Sequence, residues 1–295
     1  QEVSSQLDPE FVEDLLHAPQ LTEHDLQSQQ HRVKELQAKL ADMEQTPAVR
    51  DLMSVADHLL RRSVWIIGGD GWAYDIGSGG VDHVLASGRD VNVLVLDTEV
   101  YSNTGGQASK STPLGAVAKF ASAGKPTAKK DMALQAIAYG SVYVARVALG
   151  ADPQQTLRAF REAEAYPGPS LIIAYSHCIA HGYDLRNGLD QQYKAVHCGH
   201  WPLMRYNPVL ADEGRNPFLL DSPKPDETWR EYTKLELRYR MLQKAHPEEA
   251  ERMLDLGQRQ VERRYAEYAE MASRTAEDFA VDARMSEFAA SSNRA

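Results

Sequence analysis

The chain has 295 residues, of which 43% are hydrophobic and 25% are charged, and its formal net charge is −10. This composition is ordinary for a globular protein of one or two domains, and the acidic balance argues against a general affinity for nucleic acid. There is no apolar run of the roughly 18–20 residues that span a bilayer, and the polar, acidic stretch Gln1–Glu10 does not resemble a signal peptide, so we expect a cytoplasmic protein.

Cysteine usage is low. Only Cys178 and Cys198 are present, which excludes a disulfide framework and indicates reduced thiols. The chain begins at Gln1 rather than Met, so we expect a processed or excised piece of a longer protein.

Residues 1–62 are predicted to form a helical N-terminal extension. A charged, helix-forming segment runs from Thr22 to Met43, with apolar residues seven apart at Leu26, Val33 and Leu40. This pattern favours a surface helix with one packed face, because three heptads are short for a coiled coil. A second helix is predicted over Ala48–Arg62.

Residues 63–205 are predicted to form an α/β domain. Short apolar runs that favour strands occur at Val64–Ile67, Val91–Leu96, Val142–Val147 and Leu171–Tyr175. Helix-like segments lie between them, at Ile76–Ala86, Met132–Tyr139 and Pro153–Ala163. This alternation indicates a doubly wound, mostly parallel sheet, in which ligands bind where loops leave the carboxyl ends of the strands.

Residues 206–295 are predicted to be an extended connection followed by C-terminal helices that pack on the domain or on a partner. Asn207–Pro225 is rich in Pro, Asn and Asp, and the pattern is helical from Asp226, with breaks at Pro247 and near Ser273. We interpret two apolar stripes as the buried faces of packed helices rather than a binding groove: Trp229, Tyr232, Leu235 and Tyr239 form the first, and Leu254, Val261, Tyr265 and Tyr268 the second. Ser286–Ala295 is expected to fray.

Two loops at strand ends carry the chemistry. Gly68-Gly69-Asp70-Gly71 follows the first strand, where glycines permit positive φ and Asp70 offers the hard oxygen that Mg²⁺ prefers. Gly77–Gly80 opens the next helix, whose free N–H groups can receive phosphate oxygens. Alone, this loop is weak evidence, because such turns are common.

The second loop, Asp97–Gln107, makes the signal more specific. One helix and one strand separate Asp70 from Thr98, so both are expected in adjacent loops at one edge of the sheet. Asp70, the Thr98 hydroxyl and one loop carbonyl would complete the six-oxygen shell of Mg²⁺ together with a diphosphate.

Three stretches resemble pyruvate:ferredoxin (flavodoxin) oxidoreductases, namely Gly68–Gly77, Leu96–Gln107 and Tyr175–Gly182. The resemblance is to the C-terminal, thiamine-diphosphate-binding part of that family and extends from about Ala56 to Tyr268. Thr98 stands where many other thiamine diphosphate enzymes carry Asn, but Thr is the expected metal ligand in this family.

The resemblance implies the roles of the site residues. Mg²⁺ would be bound by the Asp70 and Thr98 side chains and by the Val100 carbonyl. The cofactor would contact Gly69, Asp70, Gly71, Trp72, Thr98 and Asn103. Asn103 would be catalytic, since its amide would face the thiazolium and the substrate and could hydrogen-bond a developing oxyanion.

The resemblance also implies a reaction and its partners. The family oxidatively decarboxylates pyruvate to acetyl-CoA and CO₂ with coenzyme A, and passes electrons through iron–sulfur clusters to ferredoxin or flavodoxin. The glutamate that activates the cofactor comes from a distant N-terminal domain, and we do not assign its role to Glu99. This chain is therefore expected to be half a cofactor site that needs the remaining domains or subunits, in a dimer. The alternative is a noncatalytic assembly or interaction fragment that retains the fold, with a metal at a cluster of histidines and cysteines.

In the same family, Cys178 would be the last ligand of a [4Fe–4S] cluster. No cysteine precedes it in this chain, and such a cluster needs four thiolates, so the others would come from missing sequence or another chain. A zinc site is the alternative for the segment's six potential ligands, but their spacing fits no standard arrangement: His177, Cys178, His181, His197, Cys198 and His200. We interpret Cys198 as a small buried hydrophobe.

Two further features are given structural interpretations. We interpret the five lysines of residues 110–130 as solvated loop lysines rather than an anion-binding patch: Lys110, Lys119, Lys125, Lys129 and Lys130. Ser109, Ser111 and Thr112 lack the spacing from a His and an acid that a nucleophilic triad requires.

Overall fold

The computed structural model describes residues 3, 6–20, 22–275 and 277–279. The chain divides into two compact units, Gln1–Ser63 and Val64–Ala295. The segment expected to fray, Ser286–Ala295, lies outside the described residues. Within the described ranges, every helix is too short or too polar to cross a bilayer.

The described part of the N-terminal unit contains three α-helices and a short 3₁₀ segment: α1 (Pro9–His17), α2 (Glu23–Asp42), α3 (Pro47–Val55) and the 3₁₀ segment Ala56–Leu59. The helix predicted over Thr22–Met43 is present as α2, and Thr22 caps it in a reciprocal capping box with Asp25. The second predicted helix stops being α-helical at Val55. The buried amide of Gln29 donates to the Leu59 carbonyl at 3.1 Å, which holds the 3₁₀ segment beside α2.

The second unit is built on a six-stranded sheet, in the order β1-β2-β4-β3-β5-β6. Its strands are β1 (Trp65–Gly69), β2 (Asn92–Asp97), β3 (Tyr143–Val147), β4 (Ser170–Tyr175), β5 (Met204–Tyr206) and β6 (Phe218–Leu220). The first four are parallel, whereas β5 and β6 are antiparallel to their neighbours. This arrangement confirms the predicted mostly parallel α/β sheet.

Helices cover both faces of the sheet: α4 (Ser78–Ala86), α5 (Met132–Ile137), α6 (Pro153–Ala165) and α7 (Gly188–His197). Alternate residues of β3 enter two different cores. Val144 packs with the cluster that includes α5, while Tyr143 and Ala145 pack with the cluster that includes α6. Burial on both faces explains why these strands appear in the sequence as continuous apolar runs.

The strand register places the ends of three strands at one edge. Gly69 pairs with Leu96, and Asp97 pairs with Tyr175, so β1, β2 and β4 end side by side. Because the strands are parallel, the loops that begin at Asp70, Thr98 and Ser176 leave the sheet together.

The predicted extended connection over residues 207–225 contains regular structure. A short helix, α8 (Pro208–Asp212), is followed by β6, which pairs with β5 and extends the sheet. A three-residue strand between Pro- and Asn-rich flanks is too short to give a periodic signal, so the sequence pattern did not show it.

Up to residue 275, the structure then shows three α-helices: α9 (Trp229–Thr233), α10 (Leu237–Ala245) and α11 (Pro247–Ala272). Pro247 opens α11, where its missing N–H is not needed, and the helix ends beside Ser273, in agreement with the predicted breaks. The two predicted stripes are largely buried, and in the first Trp229 stacks on Tyr232 at 5.4 Å between ring centroids. Leu235, at 38% exposed, departs from it.

Candidate metal and diphosphate site

The first loop turns directly from β1 into a π-helical segment, Gly71–Ile76, before α4 begins. Its glycines do not adopt the positive φ that we expected. Two of them are required for close packing instead: a Cβ on Gly68 would come within 2.4 Å of the Trp72 ring, and one on Gly71 within 2.4 Å of the Tyr101 ring. The N–H of Gly77 is already bonded to the Trp72 carbonyl at 2.8 Å, so it is not free to receive a phosphate oxygen.

Three of the predicted ligand atoms converge. The Thr98 hydroxyl lies 2.9 Å from Asp70 Oδ1 and 2.9 Å from the Val100 carbonyl oxygen. In an octahedral Mg²⁺ shell with bonds of about 2.0–2.1 Å, neighbouring oxygens are about 3 Å apart. The two 2.9 Å distances from the Thr98 hydroxyl are therefore those of neighbouring oxygens in such a shell, whose other positions would be left for phosphate oxygens and water.

The Asp70 carboxylate is almost fully buried and held at both oxygens. Oδ1 accepts from the backbone N–H of Thr98 at 3.2 Å, and Oδ2 accepts from the Ser109 hydroxyl at 2.5 Å. Burial, and then the charge of Asp97, raises the pKa of Asp70 to about 7, although Ser109 and Lys129 lower it. A divalent cation at this position would relieve that unfavourable charge.

Behind Asp70 lies a buried pair of carboxylates joined by a lysine. Lys129 Nζ contacts Asp97 Oδ2 at 2.8 Å and Glu99 Oε1 at 3.2 Å, and all three side chains are buried. Lys125 is also buried and donates to the Thr112 carbonyl at 2.6 Å. The interpretation of the lysines as solvated is thus wrong for Lys125 and Lys129, because the fold surrounds them with acceptors. Lys110 and Lys119 are exposed.

Glu99 points into this buried cluster. Besides Lys129, its carboxylate contacts His200 Nε2 at 2.9 Å and Arg238 Nη2 at 2.7 Å. Burial alone would raise the pKa of Glu99, but Lys129, His200 and Arg238 outweigh it and hold the pKa well below its usual range. A carboxylate bonded to three such partners is not available to activate a cofactor.

The loop beyond Val100 presents Asn103 to solvent. Tyr101 and Gln107 close the loop, with the Tyr101 N–H donating to the Gln107 carbonyl at 2.9 Å. Gly105 and Gly106 lie in the left-handed region, with φ of 103° and 84°, which a glycine adopts at little cost. The exposed Asn103 side chain is therefore carried on a constrained turn beside Val100.

Cys178 is connected to the same oxygens. The Ser102 hydroxyl lies 2.7 Å from Thr98 Oγ1 and donates to Cys178 Sγ at 3.2 Å. His181, fully buried, contacts the Thr98 carbonyl through Nε2 at 2.7 Å. Since a carbonyl can only accept, Nε2 carries the hydrogen, and burial lowers the pKa of His181 to about 4, which keeps the ring neutral.

A zinc site at the histidines and cysteines finds no support. Within the described part of the chain, no group of three or more His, Cys, Asp or Glu side chains is arranged to hold a metal ion. His197 pairs with Asp226 at 2.7 Å, and the buried Cys198 thiol donates to the Ala195 carbonyl at 3.4 Å. Cys198 is a buried residue as interpreted, and burial raises its pKa well above the usual value.

Sequence reasoning brought Asp70, Thr98, Val100 and Cys178 to one place but missed the side chains that support them: Ser109, Lys129, His181, His200 and Arg238. From the sequence, Ser109 was rejected as a nucleophile, and Lys129 was interpreted as a solvated surface charge. Arg238 lies 139 residues beyond Glu99, and no local spacing could have connected the two.

Comparison with known proteins gives a consistent picture. Residues 52–174 match the family described as thiamine pyrophosphate enzyme, C-terminal TPP binding domain. The chain is 52% identical over 279 residues to a pyruvate-flavodoxin oxidoreductase of Nostoc, covering 93% of this chain and 23% of that protein. It is 55% identical over 222 residues to the pyruvate:ferredoxin oxidoreductase of Moorella thermoacetica, covering 75% and 19%. The chain thus spans less than a quarter of the length of these relatives.

A solved 2-oxoglutarate:ferredoxin oxidoreductase of Magnetococcus marinus is 25% identical, with 39% of this chain and 40% of that chain covered. Its TM-score of 0.36 is too low to support a structural conclusion. The sequence matches confirm the resemblance drawn from the three motifs, and the relatives are named as oxidoreductases.

Proposed function

This chain is homologous to the thiamine-diphosphate-binding part of pyruvate-flavodoxin and pyruvate:ferredoxin oxidoreductases, and from that premise we propose that it holds the Mg²⁺ diphosphate of thiamine diphosphate in a 2-oxoacid oxidoreductase that acts on pyruvate. The observation that carries the proposal is the convergence of Asp70 Oδ1, Thr98 Oγ1 and the Val100 carbonyl at 2.9 Å spacings. These oxygens have the chemistry and the spacing that Mg²⁺ requires.

Each residue then has a defined task. Asp70, Thr98 and Val100 hold the metal, which neutralises the diphosphate. Gly69 is exposed, and the nearest atom that a Cβ there would meet is the Leu96 carbonyl oxygen at 3.9 Å, so the backbone is open to a ligand beside the metal oxygens. Gly71 and Trp72 complete the diphosphate side.

Thiamine diphosphate supplies, when bound, the electron sink for decarboxylation of a 2-oxoacid. Asn103 serves that reaction from the exposed turn beside Val100, where its amide can donate to an oxygen of the substrate. Trp72 and Tyr101 pack against Gly68 and Gly71 and so keep the diphosphate loop and the Asn103 loop in a fixed relation.

The later steps need more than this chain. We propose that Cys178 is one ligand of a [4Fe–4S] cluster whose other thiolates lie elsewhere, and that electrons leave through it to ferredoxin or flavodoxin. The activating glutamate, the coenzyme A site and the remaining cluster ligands are assigned to the other parts of the assembly, in a dimer. The names and greater lengths of the relatives support this division.

Calorimetric titration of the assembled enzyme with thiamine diphosphate and Mg²⁺ tests the proposal. Wild-type protein should bind both together, and Asp70→Ala should abolish Mg²⁺-dependent binding. Asp221→Asn is a matched control, because this carboxylate pairs with Arg205 beside β6, at the opposite end of the sheet from β1. Absence of binding by the wild type, or normal binding by Asp70→Ala, would favour the alternative of a noncatalytic assembly fragment.

A further inference from the structure

Glu99 occupies an unusual backbone conformation between two metal-binding residues. It lies between Thr98 and Val100, and its φ is +61°. Among the described residues, only Phe120 shares a positive φ without being glycine. A residue with a side chain remains in this region only where its surroundings enforce it, and such residues concentrate at functional sites.

The surroundings of Glu99 enforce the conformation at its backbone. Its N–H donates to Asp97 Oδ1 at 3.1 Å, and its carbonyl accepts from the Thr112 hydroxyl at 2.5 Å. With these bonds in place, the chain reverses so that the next carbonyl, that of Val100, returns to 2.9 Å from the Thr98 hydroxyl. The position of one predicted metal ligand relative to another therefore depends on the conformation of Glu99.

The side chain is held just as firmly, and by a distant segment. Arg238 is 2% exposed, bonds Glu99 at 2.7 Å through Nη2 and bonds Glu236 at 2.5 Å through Nε. Its own backbone carbonyl accepts from the Val117 N–H at 2.9 Å, which fixes the start of α10 against the loop that follows the site. The C-terminal helices thus reach the metal loop through one buried guanidinium.

We propose that Glu99 is a positioning residue for the metal–diphosphate site and that Arg238 holds it in place, so that the C-terminal helices are part of the cofactor-binding machinery. This inference rests on the function proposed above. Neither side chain touches the metal oxygens directly. Their effect is to preorganise the Val100 carbonyl, so that Mg²⁺ meets a shell that is already formed.

The test measures Mg²⁺ affinity separately from stability in the intact protein. Mn²⁺ replaces Mg²⁺ as the probe and is titrated in the presence of thiamine diphosphate. Its EPR signal reports the ligand environment as well as the affinity. Arg238→Met should raise the Mn²⁺ concentration for half-saturation about tenfold or more, the range typical when supporting residues of a metal site are removed. Arg238→Lys, which keeps the charge, should recover part of that loss.

Two substitutions of Glu99 separate the backbone effect from the charge. Glu99→Ala and Glu99→Gly both remove the carboxylate, but only glycine adopts the left-handed region easily. Glu99→Gly should therefore bind Mn²⁺ more weakly than the wild type but more tightly than Glu99→Ala.

Arg205→Met provides the matched control. Arg205 is also buried, at 6% exposed, and is paired with Asp221 at 2.8 Å, but it lies on β5, away from the loops that carry Asp70 and Thr98. The Arg205→Met variant should have a lower melting temperature than the wild type and an unchanged Mn²⁺ affinity. Wild-type affinity in folded Arg238→Met and Glu99→Ala, or an equal loss in Arg205→Met, would overturn the inference.

The remaining outcomes are also decisive. If Arg238→Met and Glu99→Ala fail to fold, wild-type affinity in Glu99→Gly overturns the inference by itself. If the wild type does not bind Mn²⁺ with thiamine diphosphate, the proposed function fails. If it binds and the variants bind equally well, only the role of Glu99 and Arg238 fails.

Discussion

The hydroxyl of Thr98 lies 2.9 Å from the carboxylate of Asp70, across 28 residues of sequence. The contact joins the loops after β1 and β2, and the register of the two parallel strands makes it possible. Thr98 also contacts the Val100 carbonyl, so its hydroxyl contacts both of the other proposed metal ligands.

Replacement of Thr98 should show how much this hydroxyl contributes. Thr98→Val keeps the shape of the side chain and removes the oxygen, so we expect Mg²⁺ affinity to fall about tenfold or more, about 1.4 kcal/mol of binding free energy. Thr98→Ser keeps the hydroxyl and should stay within a few-fold of the wild type. Calorimetry with thiamine diphosphate present measures both, and equal affinities of the Val and Ser variants would exclude the hydroxyl as a ligand.

Metal binding should depend on pH through Asp70. Its pKa is raised to about 7, chiefly by burial, so below that pH the carboxyl is protonated and Mg²⁺ must displace the proton. Affinity should therefore fall with decreasing pH, approaching about tenfold for each unit well below pH 7, and level off above pH 8. Titrations between pH 5.5 and 8.5 check this, and a flat profile would contradict the shift.

Ser109 should influence the metal through Asp70. The hydrogen bond from Ser109 to Asp70 Oδ2 lowers the pKa of Asp70. Ser109→Ala removes this bond, so the Asp70 carboxyl should become harder to ionise. We expect roughly tenfold weaker Mg²⁺ binding at pH 7, the lower end of the range for supporting residues, and a smaller loss at pH 8.5. Ser87→Ala, at an exposed hydroxyl at the end of α4, is the control and should change neither value.

His181 should make the folded protein sensitive to acid. Burial lowers its pKa from 6.5 to about 4, so the folded state binds this proton less readily than the unfolded chain. The resulting stability is fully present above pH 6.5 and is lost as the pH falls toward 4, by up to about 3 kcal/mol. His200, whose pKa is also lowered by burial, adds in the same direction.

Chemical denaturation at several pH values measures this loss. His181→Phe should be less stable at pH 7.5, since it loses the bond to Thr98, but should show a smaller decline between pH 6.5 and 4. His24→Gln, at an exposed position on α2, should retain the wild-type slope. A wild-type slope in His181→Phe would show that His181 is not the titrating group.

Iron analysis tests the assignment of Cys178. The chain has two cysteines, and the described residues contain no further grouping of ligands, so the chain purified alone should carry no four-iron cluster. In the complete assembly, Cys178→Ser should disturb the cluster, whereas Cys198→Ser should not. A stoichiometric four-iron cluster in the isolated chain would refute the proposed division of ligands.

Much of the site could be predicted from local patterns. Apolar runs identified the four parallel strands, and the loops after β1 and β2 carry Asp70 and Thr98. Parallel strands end at one edge, so the meeting of these two residues follows from the order of the elements. The roles of Val100, Asn103 and Cys178 came from the family resemblance instead.

The tertiary structure decided which charges are buried and what they contact. Lys129 belongs to a lysine-rich stretch that looks solvated, yet the fold encloses it between Asp97 and Glu99. Whether a charge is hydrated or paired depends on partners far away in sequence, and Arg238 shows this most clearly, 139 residues from Glu99. The sequence alone thus placed Asp70 and Thr98 at one edge of the sheet, because their positions follow from short-range periodicity and strand order. The buried ion pairs behind these two residues were decided by the tertiary structure, because Glu99 meets Arg238 only where the C-terminal helices pack against the sheet.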